Sequence, residues 1–254
     1  MTTKTDAWIL IRGLARNSQH WGDFTVKFQA QFPNAEIEKL DLAGNGHEAD
    51  RPSYLTLLKN VEDLRKRSRL VGSGRKVSLC TISMGSMVAI LWAELYPDEI
   101  ERMVLMSTSS RRHSTFFERL RPANYLRFLR MIADGRNLFL REKEVIKMTT
   151  TIVQNIDELA ARNARIPPTS VSNFFRQLWA ASRFKLPAKA PATPHLFLVG
   201  DGDELVNSVC TKRIAQAWGS PLEAHPTAGH DLPLDAPDWI ADRIKAWVLR
   251  TSSS

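Results

Sequence analysis

Val77-Ser78-Leu79-Cys80-Thr81-Ile82-Ser83-Met84-Gly85-Ser86-Met87 decides the fold, because a short apolar run ends on a serine and a helical pattern begins directly after it. Residues 77–80 read as a buried strand, and the pattern from Met84 onward reads as a helix that ends before Pro97. A serine at such a junction sits on a sharp, strained turn that presents its hydroxyl at the edge of the sheet. Gly85 supplies a small neighbour two residues on, while Thr81 stands where the pattern has its first glycine. The competing reading is a serine that caps the next helix, since Ser is a favoured N-cap.

On both sides of this junction short apolar runs alternate with helical patterns. Residues 8–11, 37–42 and 104–106 read as further strands. Between them fall a helix over 20–30 and another with apolar positions at Tyr54, Leu58, Val61 and Leu64. The rhythm then stops, and residues 109–191 are helical and rich in Arg and aromatics, with breaks at Pro122, Gly135 and Pro167-Pro168. It resumes with a strand over 195–199, a helix over 209–218, a short strand over 222–225 and an amphipathic helix over 239–248. Strand and helix in alternation mean parallel strands joined by right-handed crossovers. The expected fold is α/β, a doubly wound, mostly parallel sheet built from 1–109 and 191–254, with 110–190 as a helical insert.

Composition narrows the function. At 254 residues, 43% hydrophobic and 24% charged, the chain buries a core, which excludes disorder and collagen-like repeats. No run approaches the roughly 18 to 20 apolar residues of a membrane span, and no signal peptide reads at the start, so a cytoplasmic protein is expected. Two cysteines, Cys80 and Cys210, form neither a disulfide framework nor a metal-ligand spacing, so no structural metal is expected. The formal charge of +8 is unevenly placed: residues 110–190 hold 16 Lys or Arg against 6 Asp or Glu. The remainder is therefore slightly acidic. Basicity confined to one insert argues for a local electrostatic task and against a nucleic-acid-binding protein.

Two further loops carry candidate chemistry. Val199-Gly200-Asp201-Gly202-Asp203-Glu204-Leu205-Val206 places three acids after a strand, and Ala228-Gly229-His230-Asp231-Leu232-Pro233 places a histidine one β/α step later. A lone histidine is by default a core or surface residue, and Asp201 and Asp203 are both open as its partner. In chain order serine, acid and histidine each follow a strand, at the sheet edge where doubly wound folds put their sites.

This order resembles that of the α/β-hydrolase superfamily, and the length and layout resemble its small carboxylesterases, typified by the pimeloyl-carrier-protein methyl esterase. The resemblance rests on Ile11-Arg12-Gly13-Leu14, Asp41-Leu42-Ala43-Gly44-Asn45-Gly46-His47, the Ser83 turn, Gly200-x-x-Asp203-x-Leu205-Val206 and Gly229-His230-x-x-Pro233. It implies Ser83 as nucleophile, His230 as general base and Asp203 as orienting acid, since the family spaces its acid three residues after the glycine that ends the strand. Asp201 is the alternative. It also implies an oxyanion hole made of the Leu14 and Met84 backbone N–H groups, and no cofactor. Arg12 stands where relatives commonly have His, and either anchors its loop or favours a carboxylate-bearing substrate.

The implied reaction is cleavage of a carboxylic ester through an acyl-enzyme. The same three residues would serve a thioesterase, a carbon–carbon hydrolase, a lactonase or a perhydrolase. Thr81 and Arg12 also leave room for a catalytically silent ligand-binding protein. By the same resemblance the insert is a cap over the site. Its aromatics, Phe116, Phe117, Tyr125, Phe128, Phe139, Phe174, Phe175 and Trp179, read as an acyl-binding wall or as the cap's own packing. Its cations read as a solvated face, or as an attraction for an acidic carrier protein, a coenzyme A tail or a substrate carboxylate.

Overall fold

A computed structural model describes residues 6–133 and 137–252. Its centre is strand β1 (Ala7–Ile11), apolar at all five positions and buried throughout. The other strands are β2 (Glu36–Leu40), β3 (Val77–Ile82), β4 (Ile100–Met106), β5 (His195–Gly200) and β6 (Leu222–His225). All pair in parallel in the order β2-β1-β3-β4-β5-β6, with the direction of winding reversing at β1. Parallel strands covered on both faces need apolar side chains on both faces, which is why β1 and β3 read as unbroken runs.

Two apolar layers follow from the alternation of side chains along each strand. Ala7, Ile9, Ile11, Leu79 and Leu105 point to one layer, with helices α2 (Leu57–Arg67), α3 (Met84–Leu95) and α9 (Val209–Trp218). Trp8, Leu10, Cys80, Val104 and Leu198 point to the other, with α1 (Phe24–Gln31), α10 (Leu232–Asp235) and α11 (Pro237–Ser252). The doubly wound, mostly parallel sheet is thus the observed architecture.

Between β4 and β5 the described residues form α4 (Phe116–Arg119), α5 (Tyr125–Ala133), α6 (Leu138–Thr149), α7 (Ile156–Asn163) and α8 (Val171–Ser182). The break expected at Gly135 lies outside the described residues. No helix among the described residues is long and apolar enough to cross a membrane.

Two local readings change. Helix α2 starts at Leu57 behind the Thr56 cap, so Leu57, Val61 and Leu64 face the core; Leu58 is exposed and Tyr54 precedes the helix. The segment expected as one helix over 20–30 is a 3₁₀ turn (Ser18–Trp21) and α1, parted at Gly22 with φ 55°. A positive φ ends a right-handed helix, and glycine takes it without a Cβ penalty.

Candidate active site

Ser83 joins β3 to α3 with φ 56° and ψ −119°, a conformation that a non-glycine residue rarely holds. Strain of this kind costs about 1–3 kcal/mol and persists only where the surroundings impose it. Here the Ser83 N–H donates to the Met106 carbonyl at 2.8 Å, tying the turn to β4. Its side chain makes no capping bond to α3, so the hydroxyl is not spent as a helix cap. The approach of neighbouring chain explains the glycines. A Cβ on Gly85 would lie 2.6 Å from the Ile11 carbonyl oxygen, and one on Gly13 would lie 2.9 Å from the Ser83 Cβ. Thr81 is accommodated because its hydroxyl sits 3.0 Å from the Val104 carbonyl and 3.1 Å from the Ser86 hydroxyl.

The loops after β5 and β6 bring an acid and an imidazole together. His230 Nδ1 lies 2.7 Å from Asp203 Oδ2, and Asp203 Oδ1 accepts the backbone N–H groups of Leu205 and Val206 at 2.9 and 2.8 Å. A carboxylate on Nδ1 fixes the proton there and leaves Nε2 as the basic atom. Burial disfavours the imidazolium, but the charge and hydrogen bond of Asp203, helped by Asp231, outweigh it and hold the His230 pKa above 6.5. Asp201 is exposed and pairs with Lys212 at 2.5 Å, away from the imidazole.

Arg12 is an anchor. It is buried, and its guanidinium donates twice to the carboxylate of Asp231, the residue after His230. The pair therefore locks the loop after β1 to the histidine loop. Of the two roles the sequence offered for Arg12, this is the anchoring one, with Asp231 as the partner the sequence did not show.

Ser83, Met84, Leu14 and His230 all line one cavity of about 390 Å³. Neither the Leu14 nor the Met84 N–H has an acceptor among the described residues. The next residue, Ala15, has φ 55°, and its N–H is held by Gln177 Oε1 at 2.8 Å. Side chains from the insert, among them Phe116, Leu120, Phe128, Val145, Phe174 and Leu178, form much of the wall. Of the eight aromatics singled out in the sequence, three thus line the cavity, while Phe117, Phe175 and Trp179 are exposed.

The insert also grips the loops that carry the acid and the imidazole. Arg121 Nη1 donates to the Asp203 carbonyl at 3.1 Å, Asn124 Nδ2 to the Glu204 carbonyl at 2.8 Å, and the Asp231 N–H to the Thr149 carbonyl at 2.7 Å. Several insert cations are thereby occupied with backbone carbonyls, as are Arg112 on Leu186 and Arg176 on Ser53. Sequence reasoning counted them as charge alone. Among the described residues no group of three or more His, Cys, Asp or Glu is arranged to hold a metal ion.

Parallel strands in this order, a serine on the strained turn after β3, and an acid–imidazole pair on later loops define an α/β-hydrolase fold. The family model described as serine aminopeptidase, S33, matches residues 6–236, and the chain belongs to that family. The fold is shared with a lipase-esterase related protein from Clostridium acetobutylicum ATCC 824 at 16% identity and TM-score 0.72, over 96% of this chain and 95% of that one. A thermophilic esterase from Thermogutta terrifontis matches at 21% identity and TM-score 0.72, over 97% and 90%. The enol-lactonase from Burkholderia xenovorans LB400 matches at 18% identity and TM-score 0.74, over 98% and 94%. No curated protein matches the sequence. Family and fold together make the protein a hydrolase of the α/β type.

Proposed function

We propose that the protein is a serine carboxylesterase, with residues 110–190 serving as a cap over a core formed by 1–109 and 191–254. Ser83 attacks the ester carbonyl while His230 Nε2 takes its proton. Asp203 keeps the imidazole in the tautomer with Nδ1 protonated and stabilises the imidazolium. The Leu14 and Met84 N–H groups receive the oxyanion, and each such donor is worth about 10²–10³ in rate. The alcohol leaves with the proton from His230, and water, activated by the same imidazole, releases the acid from the acyl-serine. An apolar wall suits an aliphatic or aromatic acyl chain.

The observation that carries this reading is the pair of uncommitted N–H groups beside a strained serine whose hydroxyl does no capping. An ordinary β/α turn has no need of that strain. Both cysteines are free and buried, which fits the reducing cytoplasm. A fluorophosphonate probe tests the reading. Labelling should fall on Ser83, vanish in Ser83→Ala and weaken in His230→Ala. Turnover of p-nitrophenyl esters should fall about 10⁶-fold in Ser83→Ala. An unlabelled Ser83 together with esterase activity that survives Ser83→Ala would refute it.

A further inference from the structure

Four arginines, Arg12, Arg16, Arg119 and Arg141, line the cavity together with two acids, Asp231 and Glu142. Arg12 takes Asp231, and Arg16 and Arg141 share Glu142. Arg119 pairs with no carboxylate among the described residues. Its donors reach only neutral oxygens: Ser109 Oγ at 3.3 Å, the Ser182 carbonyl at 2.9 Å and the Ala181 carbonyl at 2.6 Å. Those three bonds staple the C-terminus of α8 to the end of β4. They leave two of the five guanidinium N–H groups uncommitted and the charge unmatched. Burial depresses the Arg119 pKa, Cys210 offsets part of that, and the nearby Arg111 adds to the depression. Arg16, by contrast, already has the Glu142 carboxylate as its counter-ion.

We propose that Arg119 forms an anion subsite in this cavity, and that the preferred esters carry a free carboxylate. The proposal rests on the esterase reading of the same cavity and adds its substrate class. The apolar wall takes the hydrocarbon part of the substrate, and the Arg119 guanidinium, already held by three hydrogen bonds, takes the carboxylate without reorganising when it arrives. The single charge on the substrate gives Arg119 the counter-ion that the described residues do not supply.

The test compares mono-p-nitrophenyl adipate and suberate with p-nitrophenyl hexanoate and octanoate, esters matched in chain length and differing in one carboxylate. The wild type should favour the charged member of each pair by about tenfold or more in kcat/KM. Arg119→Gln should lower that ratio by about tenfold, whereas Arg119→Lys, which keeps the charge but loses the fork, should retain part of it. Both esters are measured on one preparation, so any unfolded fraction cancels from the ratio. A staple without a binding role would leave the ratio unchanged in every variant, and that result, or a wild type preferring the neutral ester at both lengths, overturns the proposal. Calorimetric titration of Ser83→Ala protein with hexanoate and with hexanol reads the subsite without turnover. Binding of hexanoate that Arg119→Gln weakens supports the subsite even where fluorophosphonate labelling has refuted the serine mechanism. Hexanoate binding no tighter than hexanol overturns it.

Discussion

Trp8, Val104 and Phe197 sit fully buried among apolar neighbours in the sheet, whereas α8 meets the core largely through Asn173, Arg176 and Gln177. Asn173 Oδ1 accepts the Ser53 N–H at 2.8 Å, Arg176 Nε donates to the Ser53 carbonyl at 2.6 Å, and Gln177 Nε2 donates to Asn45 Oδ1 at 2.7 Å. Only Ala180 and Ala181 at the end of α8, with Phe184 and Leu186 beyond it, join the apolar cluster. Apolar burial is non-directional and scales with area, so it holds the sheet together and tolerates small shifts. Hydrogen bonds fix angle and register, so the insert is located more sharply than it is stabilised. That difference suits a wall that must stand at a set distance from Ser83.

Substitutions can break this contrast, and the largest effect falls where the two regions meet. Asp203 belongs to a core loop that Arg121 of the insert clamps. Asp203→Asn should lower kcat about 10⁴-fold, because the imidazole is then held in the wrong tautomer. The base must be neutral and its pKa is raised, so wild-type kcat/KM should fall as pH drops through a value above 6.5. In Asp203→Asn that acid limb should move to lower pH, which a pH–rate profile reads directly. The sign for stability is opposite: the imidazolium contribution is full below 6.5 and fades as pH rises through the folded value.

Next in size, Phe197→Ala should cost about 3–5 kcal/mol in urea unfolding, with all probes moving together. Arg12→Met should cost a similar amount, about 3–5 kcal/mol, because it leaves the Asp231 carboxylate buried without a partner. Arg12→Met with Asp231→Leu should recover most of that loss in the same urea measurement. Asn173→Ala, at about 1–3 kcal/mol, should show mainly as faster amide exchange across α8 while the global midpoint barely moves. An Asn173→Ala protein that unfolds as completely as Phe197→Ala would erase the distinction between the two regions.

The sheet was legible because parallel strands covered on both faces leave apolar runs that length and punctuation delimit, as at Val77-Ser78-Leu79-Cys80. Helix α9 was read at its true limits, Val209–Trp218, since Gly219 in the left-handed region stops it. Around Tyr54 and Leu58 the period was right but the phase was wrong, because the Thr56 cap sets where turns are counted from. Ser83, Asp203 and His230 were singled out through short patterns in order, and all three lie after the carboxyl ends of strands, with Asp203 on His230. What the sequence hid was pairing at a distance. Nothing local says that Arg12 meets Asp231, 219 residues away, or that Arg16 meets Glu142 while Arg119 meets no acid among the described residues. Net charge along a segment cannot separate a solvated cation from one bonded to a carbonyl, so Arg112, Arg121 and Arg176 were invisible as staples.

The insert also has a consequence for synthesis on the ribosome. Strands β1 to β4, with Ser83 and the Leu14 loop, emerge before the insert, and none of the described residues between β4 and β5 forms a strand of the sheet. Until β5 arrives, β4 is an open edge, a template for stray pairing that a nascent chain carries while the insert is being translated. Asp203 and His230 follow β5 and β6, so their contact with each other forms only after the insert has been made.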